Sequence, residues 1–398
     1  MPILSQQEYQ PVIMNWRLTE VHGWGLVGVH TCLHLLRTGG APFLYEYPDL
    51  ATMRPDTQAK IGALCGASTR LHDLVNAYKA KGQRLFVENS VCMYALGNQM
   101  QPNFAEQPFF GKRNIGVGAF TETNLGPQAV ADSLSYDRVV IHSTFNKQVL
   151  ADYGIESECV FQGIDPTEVS PGPRTGRFGD RFVVFSGGKL EFRKGQDIVV
   201  AAFRAFHQRH PDALLVTAWG NFWPQFALTL AESPHLQVRP GFNASTGYAD
   251  VPGWLLANGL PEGSFIDLGF LTREKIAPTL RDCDLGVFPN RCEPGTNLVA
   301  MEAMACGMPV ILSANTGHLD LIGPDRTYAL TRQSPVSDPG DSRRYWGESD
   351  VEELLETMEF AYQNRDDASA KGQAAADWVL GNRRWDQFAA EFVETCAR

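Results

Sequence analysis

Short apolar runs alternate along the chain with longer segments whose apolar residues recur at a period near 3.6, the pattern of strand–helix–strand units on a parallel sheet. In the first half, runs at 11–16, 41–47, 84–87, 114–119 and 138–143 predict strands, with helices over 26–37 and 146–153. In the second half, strands are predicted at 182–185, 213–218, 265–268, 285–288 and 310–312, separated by helices over 195–207, 272–283 and 297–305. Between the halves, residues 167–180 hold three glycines and two prolines in a polar run without apolar periodicity, which reads as an interdomain linker. Two doubly wound α/β domains in tandem fit this pattern better than one large sheet.

Composition narrows the class. A chain of 398 residues that is 44% hydrophobic and 20% charged is too apolar to be disordered and too long for one ordinary core. It has no run of about 20 uninterrupted apolar residues and no basic-then-apolar leader, so a cytoplasmic protein is expected. Eight cysteines without a Cys-x-x-Cys pair read as buried thiols of a reduced compartment, not disulfides or zinc ligands. A net charge of −11 argues against nucleic-acid binding. The acidity is spread over both halves, with 12 Lys+Arg against 16 Asp+Glu in residues 1–170 and 22 against 29 in residues 171–398. No basic membrane-docking face is evident in the sequence.

Three motifs invite chemistry. Gly23, Gly25 and Gly28 satisfy Gly-x-Gly-x-x-Gly at the start of a predicted helix, with Glu46 18 residues further on. Arg17, Thr19, Glu20 and His22 intervene between strand and glycines, so an anion-facing loop, a tight turn and a nicotinamide site all stay open. Asp282 and Asp284 form an Asp-x-Asp of the kind that holds divalent metals, but they sit at a helix–strand junction where a capping role is expected and no metal. His30 and His34, four apart, have no third ligand and read as helix-face residues.

The second half concentrates charge around turns. Gly187 and Gly188 follow an apolar strand and lead to Lys189 and Lys194, ammonium groups suited to a diphosphate whose charge grows as it leaves. A solvated basic loop is the plainer reading of that segment. Glu293-Pro294-Gly295-Thr296-Asn297 turns into a helix whose first amides, through Leu298 and Val299, are available to a diphosphate. Glu302 lies inside that helix among Ala and Met, an expensive place for a carboxylate without a partner.

Taken together and in order, residues 187–195, Leu268-Gly269-Phe270 and residues 285–311 resemble the donor-binding domain of retaining, family-four glycosyltransferases of the GT-B fold, the group 1 glycosyl transferases. Residues 137–146, with Gly154-Ile155 and Gln162-Gly163-Ile164-Asp165, are similar to the end of that family's acceptor domain.

The resemblance implies two Rossmann-like doubly wound domains facing a central cleft: an acceptor-side domain over 1–170 joined by a C-terminal helix at 385–398, and a nucleotide-sugar domain over 171–384. It implies a hexosyltransferase that needs no metal or cofactor, with a nucleotide diphosphate sugar as donor and a soluble acceptor. Lys189 takes the place of the family's usual arginine, and Lys194 matches its lysine. Glu293 stands one residue from the position of the first family glutamate, where this chain has Pro294. Glu302 matches the second glutamate and is expected on the ribose, with Thr296, Asn297, Leu298 and Val299 at the diphosphate, next to Gly295 and Gly188. Phe270 and Leu271 match the backbone that reads the base. In the first domain, Gly23 and Gly25 match the loop near the reacting sugar, Glu122 an acidic position before the acceptor helix, and Asn98 stands where many relatives carry a histidine. The alternatives are an NAD-dependent oxidoreductase built on the Gly23–Gly28 loop and a non-catalytic sugar-nucleotide binding protein.

Overall fold

The computed structural model describes residues 11–101, 107–338 and 340–398, so the first ten residues of the expected first domain lie outside the described residues. Their contacts divide into two units: one comprises the chain up to Gln162 together with Trp385–Arg398, the other Gly163–Arg384.

In the first unit, strands Pro11–Met14 (β1), Ala41–Leu44 (β2), Leu85–Leu96 (β3), Phe109–Gly118 (β4), Arg138–Ile141 (β5) and Glu158–Cys159 (β6) form one parallel sheet in the order β2-β1-β3-β4-β5-β6. Helices Gly23–Arg37 (α1), Pro55–Gly62 (α2), Cys65–Lys79 (α3), Pro127–Ser133 (α4) and Thr144–Asp152 (α5) connect the strands. The strand expected at 84–87 is the start of a much longer one. Glu88-Asn89-Ser90 reads as a turn, yet Asn89 takes a φ of 53° and the β3–β4 register shifts between Val87 and Val91, so a bulge carries the strand on through the apolar run to Leu96.

The second unit repeats the plan with Val183–Gly187 (β7), Leu214–Ala218 (β8), Phe265–Asp267 (β9), Leu285–Phe288 (β10), Val310–Ser313 (β11) and Tyr328–Leu330 (β12), ordered β12-β11-β10-β7-β8-β9. Gln333–Pro335 (β13) and Gly347–Ser349 (β14) make a separate hairpin. Helices Gln196–Arg209 (α6), Val251–Ala257 (α7), Arg273–Arg281 (α8), Leu298–Ala305 (α9), Val351–Gln363 (α10) and Arg365–Asn382 (α11) complete it. The strands of both faces are buried, as a doubly wound sheet requires: Val184, Leu215 and Ile311 meet Phe203 and Leu355 on one side, while Phe185, Val216 and Leu312 meet Met301 and Met304 on the other.

The glycine- and proline-rich run at 167–180 packs on this second unit. Arg174 pairs with Asp284 at 2.7 Å, and the Thr175 amide donates to Asp282 at 2.6 Å. The last helix, Trp385–Ala397 (α12), belongs with the first unit, where Trp385 stacks on His30 of α1 and Phe388 packs against the buried His142. Among the described residues, no helix is long and apolar enough to cross a membrane.

Candidate active site

In each sheet the chain starts in the middle and winds outward in both directions. The reversal falls between β1 and β3 in the first unit and between β7 and β10 in the second. At such a switch point the loops leaving the carboxyl ends of neighbouring strands diverge and open a crevice, the general binding position of doubly wound folds.

In the second unit the two loops at that position are those that carry the sequence-derived candidates. After β7, Gly187 gives way to Gly188 at φ 120° and to a short helical turn, Phe192–Lys194, ended by Gly195 at φ 69°. A Cβ on Gly195 would stand 2.1 Å from the Pro289 carbonyl oxygen, and one on Gly187 would stand 2.8 Å from the Val299 side chain. The two loops thus approach too closely for larger residues. Backbone bonds then tie them together, since Arg291 and Cys292 both donate to the Arg193 carbonyl, at 2.8 and 3.2 Å.

A buried arginine locks this arrangement. Arg291 is fully buried, makes a two-pronged pair with Asp197 at 2.7 and 2.8 Å, pairs again with Glu348, and lies 3.8 Å from the centre of the Phe192 ring. Phe192 opens the short turn that ends at Lys194, so the position of that lysine is set from beneath.

Lys194 Nζ lies 2.5 Å from Glu293 Oε2, which also accepts from Asn290 at 2.7 Å, while Arg193 stands 3.5 Å from the other oxygen. Burial by itself raises the Glu293 carboxyl, but Lys194 and Arg193 outweigh it and hold the group at about 2. Lys189 is separate from this pair: its ammonium stands 4.5 Å from the centre of the Trp223 ring. Burial, and then the neighbouring Arg193, bring Lys189 down from 10.5 to about 8.

After β10 the chain turns through Gly295 and Thr296 into α9. Asn297 caps the helix from a left-handed conformation, φ 56°, accepting from Ala300 through its side chain and donating to His318 Nε2 at 2.8 Å. The amides of Leu298 and Val299 occupy the first turn, where no intrahelical acceptor exists. Gly317 is required behind this turn, because a Cβ there would lie 1.8 Å from the Gly295 carbonyl oxygen. One turn into α9, Glu302 accepts from Arg273 at 2.5 Å, and Arg273 also binds Glu168 through Nε at 2.8 Å. Phe270 and Leu271 lie between β9 and α8, with Phe270 against Phe222 at 4.3 Å and Tyr248 at 5.5 Å.

Lys189, Lys194, Glu293 and the start of α9 are therefore assembled around one switch point. Sequence reasoning missed the groups that hold them: Arg193, Asn290, Arg291, Arg273 and His318. Arg193 and Arg291 lie beside quoted motif residues, but nothing local in the sequence marks Arg273 as a partner of Glu302.

Beside the first unit's switch point, in the loops that follow β3 and β4, Asn98 and Glu122 meet: Asn98 Nδ2 donates to Glu122 Oε1 at 2.9 Å, and Gln99 Nε2 to Oε2 at 3.1 Å. Gln99 and Met100 both have positive φ, 61° and 55°, so this turn stores backbone strain. Gly23 opens α1. The Gly25 amide donates to the His22 ring, and a Cβ at Gly25 would stand 2.2 Å from the Thr19 carbonyl oxygen. Gly25 and Gly28 thus serve close packing of α1 on the preceding turn. Asp282 and Asp284 accept from the amides of Thr175 and Val183, so each carboxylate holds a backbone N–H at this junction. His34 accepts from Arg37 at 3.2 Å.

Residues 181–339 match the family model described as glycosyl transferases group 1. The chain is 25% identical over 279 residues to the GDP-mannose-dependent alpha-(1-6)-phosphatidylinositol monomannoside mannosyltransferase of Mycobacterium tuberculosis, an alignment covering 68% of this chain and 61% of that protein. It is 31% identical over 202 residues to the D-inositol 3-phosphate glycosyltransferase of Rhodococcus erythropolis, covering 48% and 40%. The chain thus spans about three-fifths, or less, of the length of these curated relatives. Among solved structures it is similar to a sucrose-phosphate synthase from Thermosynechococcus elongatus, with a TM-score of 0.65 over 97% of this chain and 98% of that one at 14% identity. It is also similar to Anabaena HepE in complex with UDP and glucose, with a TM-score of 0.62 over 98% and 100% at 14% identity. Over residues 181–339 the second unit is thus similar to a group 1 glycosyl transferase domain, and the chain has the GT-B fold.

Proposed function

We propose that the chain transfers a sugar from a nucleotide diphosphate sugar to a soluble acceptor, with retention of anomeric configuration and without a metal ion. The observation that carries this reading is the convergence of Lys189, Lys194 and the first turn of α9 at the second unit's switch point. Cations and helix-start amides aimed at one place stabilise charge that develops on a departing diphosphate. Glu302, oriented by Arg273, is the group for the ribose hydroxyls, and Glu293 the one nearest the lysine that faces the leaving group.

Retention rests on the family resemblance of the second unit. Of the relatives, one is named for phosphatidylinositol monomannoside and the other for D-inositol 3-phosphate. The acidic balance of residues 1–170 disfavours docking on an anionic membrane and so supports a soluble acceptor.

A thermal-shift panel of UDP, GDP, ADP and their sugars tests the donor, because a ligand at 100 times its Kd adds about 2.7 kcal/mol of stability. The nucleotide that raises Tm is then supplied as its sugar, and nucleotide release and the anomer of the product are followed by proton NMR. Failure of every nucleotide to shift Tm overturns the donor reading, and an inverted anomer overturns retention.

A further inference from the structure

The first unit carries a second concentration of charge, near the amino-terminal ends of its strands and away from the loops at their carboxyl ends. β4 enters the sheet ahead of β5: Ile115 pairs with Arg138, the first residue of β5, so Lys112 and Arg113 extend beyond the start of that neighbour. With the end of α12 alongside, this leaves a cavity of about 290 Å³ lined by Lys112, Arg113, Asp137, Arg138, Cys396 and Arg398. Four cations face one small space in a chain whose net charge is −11.

Their partners are unequally shared. Arg138 pairs with Glu158 at 2.9 Å and Arg398 with Glu394, while one Asp137 oxygen accepts from the Asn114 amide at 2.7 Å. Among the described residues, neither Lys112 nor Arg113 has an ion-pair partner. Arg113 Nη1 is moreover buried with no hydrogen-bond acceptor. A buried guanidinium N–H without an acceptor is costly, and an anion in the cavity removes that cost. Cys396 closes the cavity as a neutral thiol, since burial pushes its titration far up.

We propose that this cavity binds a phosphate monoester, with Arg113 and Lys112 as its principal ligands and Arg138 in support. Two uncommitted cations match a dianion, and a guanidinium fork matches two oxygens of a tetrahedral phosphate better than a lone ammonium does. The volume exceeds that of a bare phosphate and suits a small organic body attached to it. The phosphate belongs to a soluble metabolite or to a lipid headgroup. All the lining residues lie in the first unit, so the site is independent of the donor reading.

Calorimetric titration of the intact chain with glycerol 3-phosphate tests the site. One binding event is expected, weakened roughly tenfold or more in Lys112→Gln/Arg113→Gln, less in Lys112→Gln alone, and unchanged in Lys189→Gln of the other unit. Without phosphate the double variant should melt at the same temperature as the parent or higher, since like charges are removed. The exposed Lys112→Gln single variant keeps the test valid if the double variant does not fold. Flotation with phosphatidylcholine vesicles containing phosphatidic acid separates the sources: flotation lost in Lys112→Gln assigns a lipid phosphate, and glycerol 3-phosphate binding without flotation assigns a soluble one. No binding by the parent, equal binding by parent and double variant, or loss of binding in Lys189→Gln instead, overturns the proposal.

Discussion

Lys194 and Glu293 are joined by a 2.5 Å ion pair whose side chains are only 9% and 7% exposed. The pair spans the two loops of the second unit's switch point, so either partner affects the position of both loops. Removing one partner of a buried pair strands the other charge, typically at a cost of about 3–5 kcal/mol.

Lys194→Ala is therefore expected to lower Tm as well as kcat and kcat/KM, the kinetic loss reaching ~10²-fold or more. Adding Glu293→Gln should recover part of the Tm, because the stranded carboxylate is gone, but none of the kcat. Melting curves and donor titrations on the two single variants and the double variant measure the coupling directly. An unchanged kcat in Lys194→Ala rules out its leaving-group role.

The fold and the loops at the second unit's switch point were largely legible because they are local. Strands such as Leu285–Phe288 are unbroken apolar runs, and the two lysines and the α9 turn lie within short motifs. What was hidden depends on residues remote in sequence. Arg273 meets Glu302 across 29 positions, and Lys112 shares a cavity with Arg138 and Arg398, so the basic cluster of the first unit left no run of charge to notice. β3 was cut short for a different reason: Asn89 takes a left-handed conformation inside a strand, and its neighbours read as a turn. The first unit's glycines left an anion loop, a tight turn and a nicotinamide site open, because the motif looks the same when Gly25 and Gly28 pack closely on Thr19 and Leu18.

Glu302 and Arg273 should separate by phenotype. Ribose hydroxyls do not change charge during transfer, so Glu302→Gln should raise the donor KM with kcat changed much less. The fold should tolerate it, because Arg273 keeps Glu168 as a partner. Arg273→Met takes the guanidinium away from both buried carboxylates and should cost several kcal/mol, read as a large fall in Tm. A donor KM unaffected in folded Glu302→Gln removes the ribose assignment.

Transfer should survive excess chelator. Asp284 accepts from the Val183 amide and pairs with Arg174, so Asp284→Asn should lower stability by about 1–2 kcal/mol and leave turnover nearly intact. Activity abolished by chelator and restored by manganese would contradict both expectations.

Lys189 supplies the pH dependence. The resemblance in sequence expects an arginine in its place, and burial followed by Arg193 brings it from 10.5 to about 8. Between those two values the unfolded chain holds a proton that the native state has lost, so this group's contribution to stability rises with pH across that window, and the burial penalty on its charged form is felt below pH 8. Donor binding needs the opposite, a charged ammonium facing the diphosphate. The alkaline limb of kcat/KM, which reports the free enzyme, should therefore fall with an apparent pKa near 8. The limb of kcat should lie higher, because a bound diphosphate favours the protonated lysine. Lys189→Arg replaces the titrating group with one that stays charged, and should abolish the alkaline limb while keeping activity at neutral pH. Lys189→Met should lower kcat/KM at neutral pH toward the residual value that the parent enzyme shows when alkaline. If Lys189→Arg retains the same limb, another group titrates there and Lys189 is not the donor-facing cation.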